Sequence, residues 1–342
     1  MLVYPKPGRT NPLHSNIIVP AFAYLHRLFL YITLLLTTAT VSAQDVFFNG
    51  VQNMNVWYNP ALKTNKLTLA NANFRSVKYQ GITSYTSKAA SIEIPLGGPN
   101  SYEDNSGFTN LVVGMNADHA TNGMLKVSNA MVAFSYALPL NYNNTYLSAG
   151  FQAAYTFSQV GYNGVDFFPA DFDQNGAIGS AVSSDPFQSG YQFNYLTIGA
   201  GASIFHMGTD KQWYVGASAR HLNQPYTEWT GSTRLPMNLG IQAGYSKSVT
   251  ENDLVGGYGV FIWQGSVNQQ IIGIKYTRNL TDSANYAISL GLGYRIREAL
   301  IPNIELKFGK SQIGFHYEFT LGSRGYSVYR RTGVEFSYRV IL

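Results

Sequence analysis

The stretch NYAISLGLGYRIR, residues 285–297, decides the fold. Tyr286, Ile288, Leu290, Leu292, Tyr294 and Ile296 fall on one face, and Asn285, Ala287, Ser289, Gly291, Gly293, Arg295 and Arg297 on the other. A period of two belongs to a β-strand, not a helix. The run is about the length a tilted strand needs to cross a bilayer, with aromatic side chains near the ends of its apolar face. A strand of a soluble sandwich would alternate too. The small and charged residues of the second face suit a polar lumen better than the outside of a sandwich.

The same pattern recurs along the chain. Leu147, Ala149, Phe151, Ala153, Tyr155 and Phe157 oppose Ser148, Gly150, Gln152 and Thr156; Ile313, Phe315, Tyr317, Phe319 and Leu321 oppose Gly314, His316, Glu318 and Thr320. Strands are expected at 67–79, 86–95, 109–119, 126–138, 145–158, 193–207, 212–221, 236–248, 254–264, 268–278, 285–297, 301–309, 311–321 and 332–342. The count is fourteen, and bacterial single-chain barrels need an even number. The expected fold is therefore all-β: a transmembrane antiparallel up-and-down β-barrel of about 14 strands, spanning residues 67–342. Tight Asn/Asp/Gly turns at 141–144, 208–211, 250–253, 280–283 and 309–311 belong on the periplasmic side. The longer connections 159–192, 222–235 and 322–331 belong outside. The connection 96–108 is long for its side, and 265–267 is short.

The chain ends on a strand, GVEFSYRVIL, with Val334, Phe336, Tyr338 and Val340 facing one way and Glu335, Ser337 and Arg339 the other. A closed barrel explains this, because its last strand must pair with its first where no water can satisfy backbone groups. Arg331, Gly333, Phe336 and Tyr338 also fit the terminal signal read by the barrel-assembly machinery: polar residue, spacer, Gly, two spacers, aromatic, spacer, aromatic.

Composition agrees with a membrane barrel. Of 342 residues, 12% are charged and 14% aromatic, with 25 Tyr, 20 Phe and 33 Gly. So many aromatic residues and so few charges exclude a disordered chain. The absence of Cys excludes disulfides and thiolate metal sites. The formal charge of +5 includes Lys6, Arg9 and Arg27 from a leader without acidic residues. The remainder gives no reason to expect nucleic acid as a partner. The leader, residues 1–43, reads as a signal peptide. His26 and Arg27 precede the apolar run LFLYITLLLTTAT, and Val41-Ser42-Ala43 is the small-residue pattern cut by signal peptidase. Cleavage near Ala43/Gln44 directs the chain to the bacterial outer membrane and its lipid.

Residues 44–66 precede the first strand and hold Phe47, Phe48, Val51, Met54, Val56, Trp57 and Tyr58. A free periplasmic tail would not expose so many apolar groups. The segment is expected to fold into the barrel's periplasmic mouth, as a periplasmic or plug segment, or to dock a partner, with Pro60 as a rigid turn into the first strand.

This opening resembles that of the PorP/SprF family, outer-membrane proteins of the type IX secretion system in Bacteroidota. The resemblance rests on Gln44-Asp45, the aromatic stretch after it, Asn59-Pro60-Ala61, Arg75 before Gly81, and Ser91, Pro95 and Leu96. It continues through Asp185-Pro186-Phe187 and the YEFTLGS…VEFSY ending. The chain departs from the family at Ser76-Val77-Lys78-Tyr79 and at Leu62. The resemblance implies a non-enzymatic part in secretion or gliding, with large adhesins secreted or held at the surface through their C-terminal domains. Periplasmic components of the type IX machinery are the implied partners. The residues alone imply only an outer-membrane barrel, for which a passive pore for small solutes is the other reading.

Partner-binding candidates are Trp57, Tyr58, Asn59 and Pro60 in the first segment and Tyr226 and Trp229 in an outer connection, since Trp and Tyr anchor interfaces. Asp171, Asp173, Asn175 and Gly176 form D-x-D-x-N-G, the first half of a calcium loop. Its twelfth position is Val182 rather than Glu, with Asp185 three residues on, so a Ca2+ site in 171–185 competes with an ordinary polar turn. No other cofactor is expected. Arg295, Arg297, Glu305, Lys307, His316, Glu318, Glu335 and Arg339 are expected to face the lumen. They would either line a selective pore or pair across strands and fill it. The six His show no metal-ligand spacing, and no G-x-S-x-G accompanies them. An enzyme is not expected.

Overall fold

A computed structural model describes residues 45–79, 84–96, 106–120, 125–141, 144–160, 191–227, 234–281, 285–321 and 331–342. The leader, the calcium-loop residues Asp171, Asp173 and Asn175, and Trp229 lie outside them.

Fourteen strands form one closed antiparallel sheet: β1 (Leu69–Tyr79), β2 (Ser84–Leu96), β3 (Phe108–Ala120), β4 (Leu125–Asn141), β5 (Thr145–Val160), β6 (Tyr191–Met207), β7 (Lys211–Arg220), β8 (Asn238–Ser248), β9 (Asp253–Gln264), β10 (Val267–Asn279), β11 (Tyr286–Arg295), β12 (Ala299–Phe308), β13 (Ser311–Thr320) and β14 (Arg331–Ile341). Each strand pairs with its sequence neighbours. Closure comes from β1 against β14, in a register that sets Leu69 opposite Ile341, Phe74 opposite Phe336 and Tyr79 opposite Arg331. No strand edge is left open, as lipid requires.

Alternation sets the two faces. Phe151, Ile274, Leu290 and Phe336 are exposed on the outer surface, whereas Glu318 and Glu335 are fully buried inside. One step along β14 separates an outward aromatic from an inward carboxylate. The start of β1 and the end of β14 lie at the same end of the barrel, here termed the terminal end. The opposite, distal end carries the two-residue β9–β10 turn, where Gly265 takes φ 59°, a left-handed conformation that glycine adopts without steric cost.

The expected strands are all present, with ends shifted by a few residues. One inward assignment changes. The alternation of 285–297 runs past the end of β11, and residues 296–298 turn instead, with Arg297 exposed at φ 64°. Arg297 therefore faces solvent, not the lumen.

The core of the molecule is inside the barrel. Phe47, Phe48, Val51, Met54, Val56, Trp57 and Tyr58 pack against Val112, Met131, Val260, Ile262, Ile271 and Ile301 of the wall. The lumen is thus not uniformly polar. Where the N-terminal segment lies, the wall supplies apolar residues for it to cover.

Candidate functional site

The segment preceding β1 runs through the lumen from one end to the other. Asp45 meets Arg220, His221 and Asn238 at the distal end. A 3-10 turn (Val51–Met54) and a single helical turn, α1 (Asn55–Tyr58), follow. The chain then leaves at the terminal end, where Lys63 pairs with Glu93 at 2.8 Å. Neither short turn has a side-chain cap. Contacts with the wall hold the segment in place of the hydrogen bonds a longer helix would make.

Two buried carboxylates organise the distal half. Glu318 faces three guanidinium groups, Arg75 at 2.9 Å, Arg295 at 3.1 Å and Arg331 at 2.8 Å. Arg75 also donates to the Phe47 carbonyl at 2.8 Å, and Arg295 to Asn49 Oδ1 at 2.5 Å, so the charge cluster grips the plug directly. Glu335 has no ion pair among the described residues. It accepts hydrogen bonds from the backbone amides of Asn49 at 2.6 Å and Gly50 at 2.9 Å, and from Asn73 Nδ2 at 3.2 Å. A buried carboxylate with hydrogen-bond donors on both oxygens is satisfied without a cation. Farther along, Arg339 joins Asn71 at 2.8 Å and the Asn53 carbonyl at 3.2 Å, and Glu305 pairs with Lys275 at 2.9 Å.

Asn59 is the central fastener. Its amide nitrogen donates to the carbonyls of Ala202 and Ala217, each at 3.3 Å, and to Gln242 Oε1 at 3.2 Å. Its oxygen accepts the Ala61 amide at 3.0 Å. Ser218 and Ser203 donate to the carbonyls of Tyr58 and Ala61, both at 2.7 Å. Gly150 makes the close approach sterically feasible. A Cβ there would lie 2.8 Å from the carbonyl carbon of Pro60 and 2.9 Å from the Ala61 nitrogen, too near for backbone to yield.

Trp57, Tyr58, Asn59 and Pro60 are therefore buried against the barrel's own wall. Tyr58 accepts the Phe48 amide at 3.0 Å. Trp57 Nε1 is buried without a partner. The carboxyl of Asp45 lies below the usual range: burial works to raise it, but His221 and Arg220 beside it outweigh that effect. Tyr226, half exposed, lies in the connection between β7 and β8, where its hydroxyl accepts from Arg234 at 2.9 Å. Phe336 and Tyr338 face outward from β14, with Gly333 buried beside Glu318.

A space of about 230 Å³ lies at the terminal end, bounded by Gln52, Asn55 and Thr64 of the plug and Tyr214, Gly256 and Thr277 of the wall. No described group of His, Asp and Glu has the arrangement of a metal site. Sequence reasoning found the plug through its aromatic residues and the lumen charges through alternation. It marked Asp45 and Arg75 only as part of the family resemblance, with no role, and missed Asn73 and Ser218, which read as ordinary polar residues of strands.

Residues 40–339 match the family model of the type IX secretion system membrane protein PorP/SprF. Solved barrels with partial likeness include the toluene transporter TodX of Pseudomonas putida, at TM-score 0.49 and 7% identity over 89% of this chain and 95% of that one. Others are the translocator domain of the autotransporter NalP from Neisseria meningitidis (0.37, 9%, 97% and 100%) and the porin NanC (0.38, 8%, 79% and 100%). No curated protein matches the chain.

Proposed function

The chain belongs to the PorP/SprF family of type IX secretion system membrane proteins, and from that premise we propose that it is a non-enzymatic outer-membrane anchor. In this reading it supports the secretion or surface retention of large adhesins through their C-terminal domains, with periplasmic components of the same machinery as its other partners. The leader is removed near Ala43/Gln44, and the terminal end of the barrel faces the periplasm.

The observation that carries the reading is the filled lumen. Salt bridges, backbone hydrogen bonds and an apolar cluster hold the plug along its whole length. Glu305, Glu318, Arg75, Arg295 and Arg339 bond to groups of the wall or of the plug, so they supply rigidity rather than a conducting lining. A scaffold can use such a barrel as it stands, whereas a pore would have to expel its own core. Outer-side contact falls to the connection holding Tyr226 and Trp229. Calcium binding at Asp171, Asp173 and Asn175 would stiffen another outer connection. The test is a surface-proteome comparison between wild type and a gene deletion: loss of one or a few large surface proteins with general secretion intact supports anchoring, and an unchanged set ends it.

A further inference from the structure

The distal notch that holds Asp45 is built more fully than one aspartate needs. Three donors converge on a single oxygen, Oδ2: His221 Nε2 at 2.8 Å, Arg220 at 3.1 Å and Asn238 Nδ2 at 3.1 Å. His221 adopts φ 57°, an uncommon conformation for a residue with a Cβ, directly after β7 ends. Next to it Gln264 accepts from Asn238 Nδ2 at 3.2 Å through its oxygen, while its buried Nε2 has no partner. Nor has His221 Nδ1, also buried. A buried donor without a partner is costly and rare. Below the notch Ile262 and Val267 give an apolar floor on which Val46 and Phe47 rest. The Asp45 side chain keeps 26% of its surface exposed, so solvent reaches the occupant.

We propose that Arg220, His221, Asn238 and Gln264 form a binding site for an acidic residue followed by apolar residues, presented by a peptide from outside the cell. Asp45-Val46-Phe47 fills this site in cis and is its template. Only Oδ2 of Asp45 is engaged, and an external carboxylate not held by a chain running on into the lumen would turn its second oxygen toward the Gln264 donor that Asp45 leaves unused. The tethered occupant competes at an effective concentration on the order of millimolar, so external peptide binds the wild-type protein weakly. Removing the Asp45 carboxylate frees the three donors, and the apolar residues of the incoming peptide then displace Val46 and Phe47 from the floor. The notch stands on its own geometry, and only the outward presentation rests on the membrane orientation proposed above.

The experiment uses a fluorescent peptide, Gln-Asp-Val-Phe-Phe-Asn, and a control with Asn in place of Asp. Anisotropy is read on the full-length protein in detergent. The expected result is binding at least about tenfold tighter to Asp45→Ala than to wild type, lost with the control peptide and lost again when Arg220→Gln is added. Heat-modifiable migration reports folding, and Asp45→Asn, which keeps the side-chain volume, replaces any Asp45→Ala protein that fails to fold. Equal binding by all variants, or none by any, overturns the site. Binding in detergent but not to intact cells keeps the notch and overturns its outward presentation, separating this proposal from the anchoring role.

Discussion

Glu335, seven residues from the C-terminus, accepts the backbone amide of Gly50 at 2.9 Å across a sequence separation of 285. The last strand thus turns Phe336 and Tyr338, the aromatic positions of the proposed assembly signal, to the outer surface and its grip on the N-terminal plug to the inside. Closing the barrel and fastening the plug are consequences of the same strand.

Glu335→Gln is expected to loosen the plug without opening the barrel. Glutamine keeps one acceptor but turns an amide hydrogen toward a backbone donor. A buried group left unsatisfied in this way costs about 1–3 kcal/mol. Limited proteolysis within residues 45–60 should quicken, while heat-modifiable migration of the barrel stays as in wild type. Unchanged proteolysis would mean that Glu335 does not hold the segment.

Gly150→Val tests the seat of Asn59-Pro60-Ala61. Even a Cβ there meets backbone at 2.8 Å, and valine adds two methyl groups. The barrel strand itself tolerates a β-branched residue, so insertion should persist. Trp57, buried beside this seat, should shift its fluorescence toward that of a solvated indole. A spectrum identical to wild type would contradict the packing.

How much of this was legible beforehand follows from which residues act locally. Alternation in β14 assigned Phe336 and Glu335 to opposite faces, because that pattern depends only on neighbours in sequence. The alternation also carried Arg297 too far, since nothing local marks a left-handed turn at an arginine. The plug's apolar residues announced that it must be covered. Its seat did not show. Gly150 and Ser218 become a receptor for Pro60, Ala61 and Tyr58 only through pairings that the strand register creates. Asp45 stood out only as part of the family resemblance; its role did not show, because its partners lie some 175 residues or more away.

Phe336→Arg is expected to block assembly. The residue lies midway along β14 and is exposed to lipid. An arginine near the bilayer midplane costs about 2–4 kcal/mol, and the same change removes an aromatic position of the proposed terminal signal. Outer-membrane fractionation should find little folded protein. Wild-type levels in that fraction would contradict the outward orientation of Phe336.

The chain fills its own lumen, and in the proposed role it works as an anchor, not a conduit. Single-channel recording in planar bilayers tests this most directly. Wild-type protein should be almost silent, and Glu335→Gln should show brief openings as the plug loosens. A steady, large conductance from the wild-type protein would contradict the account and favour a pore.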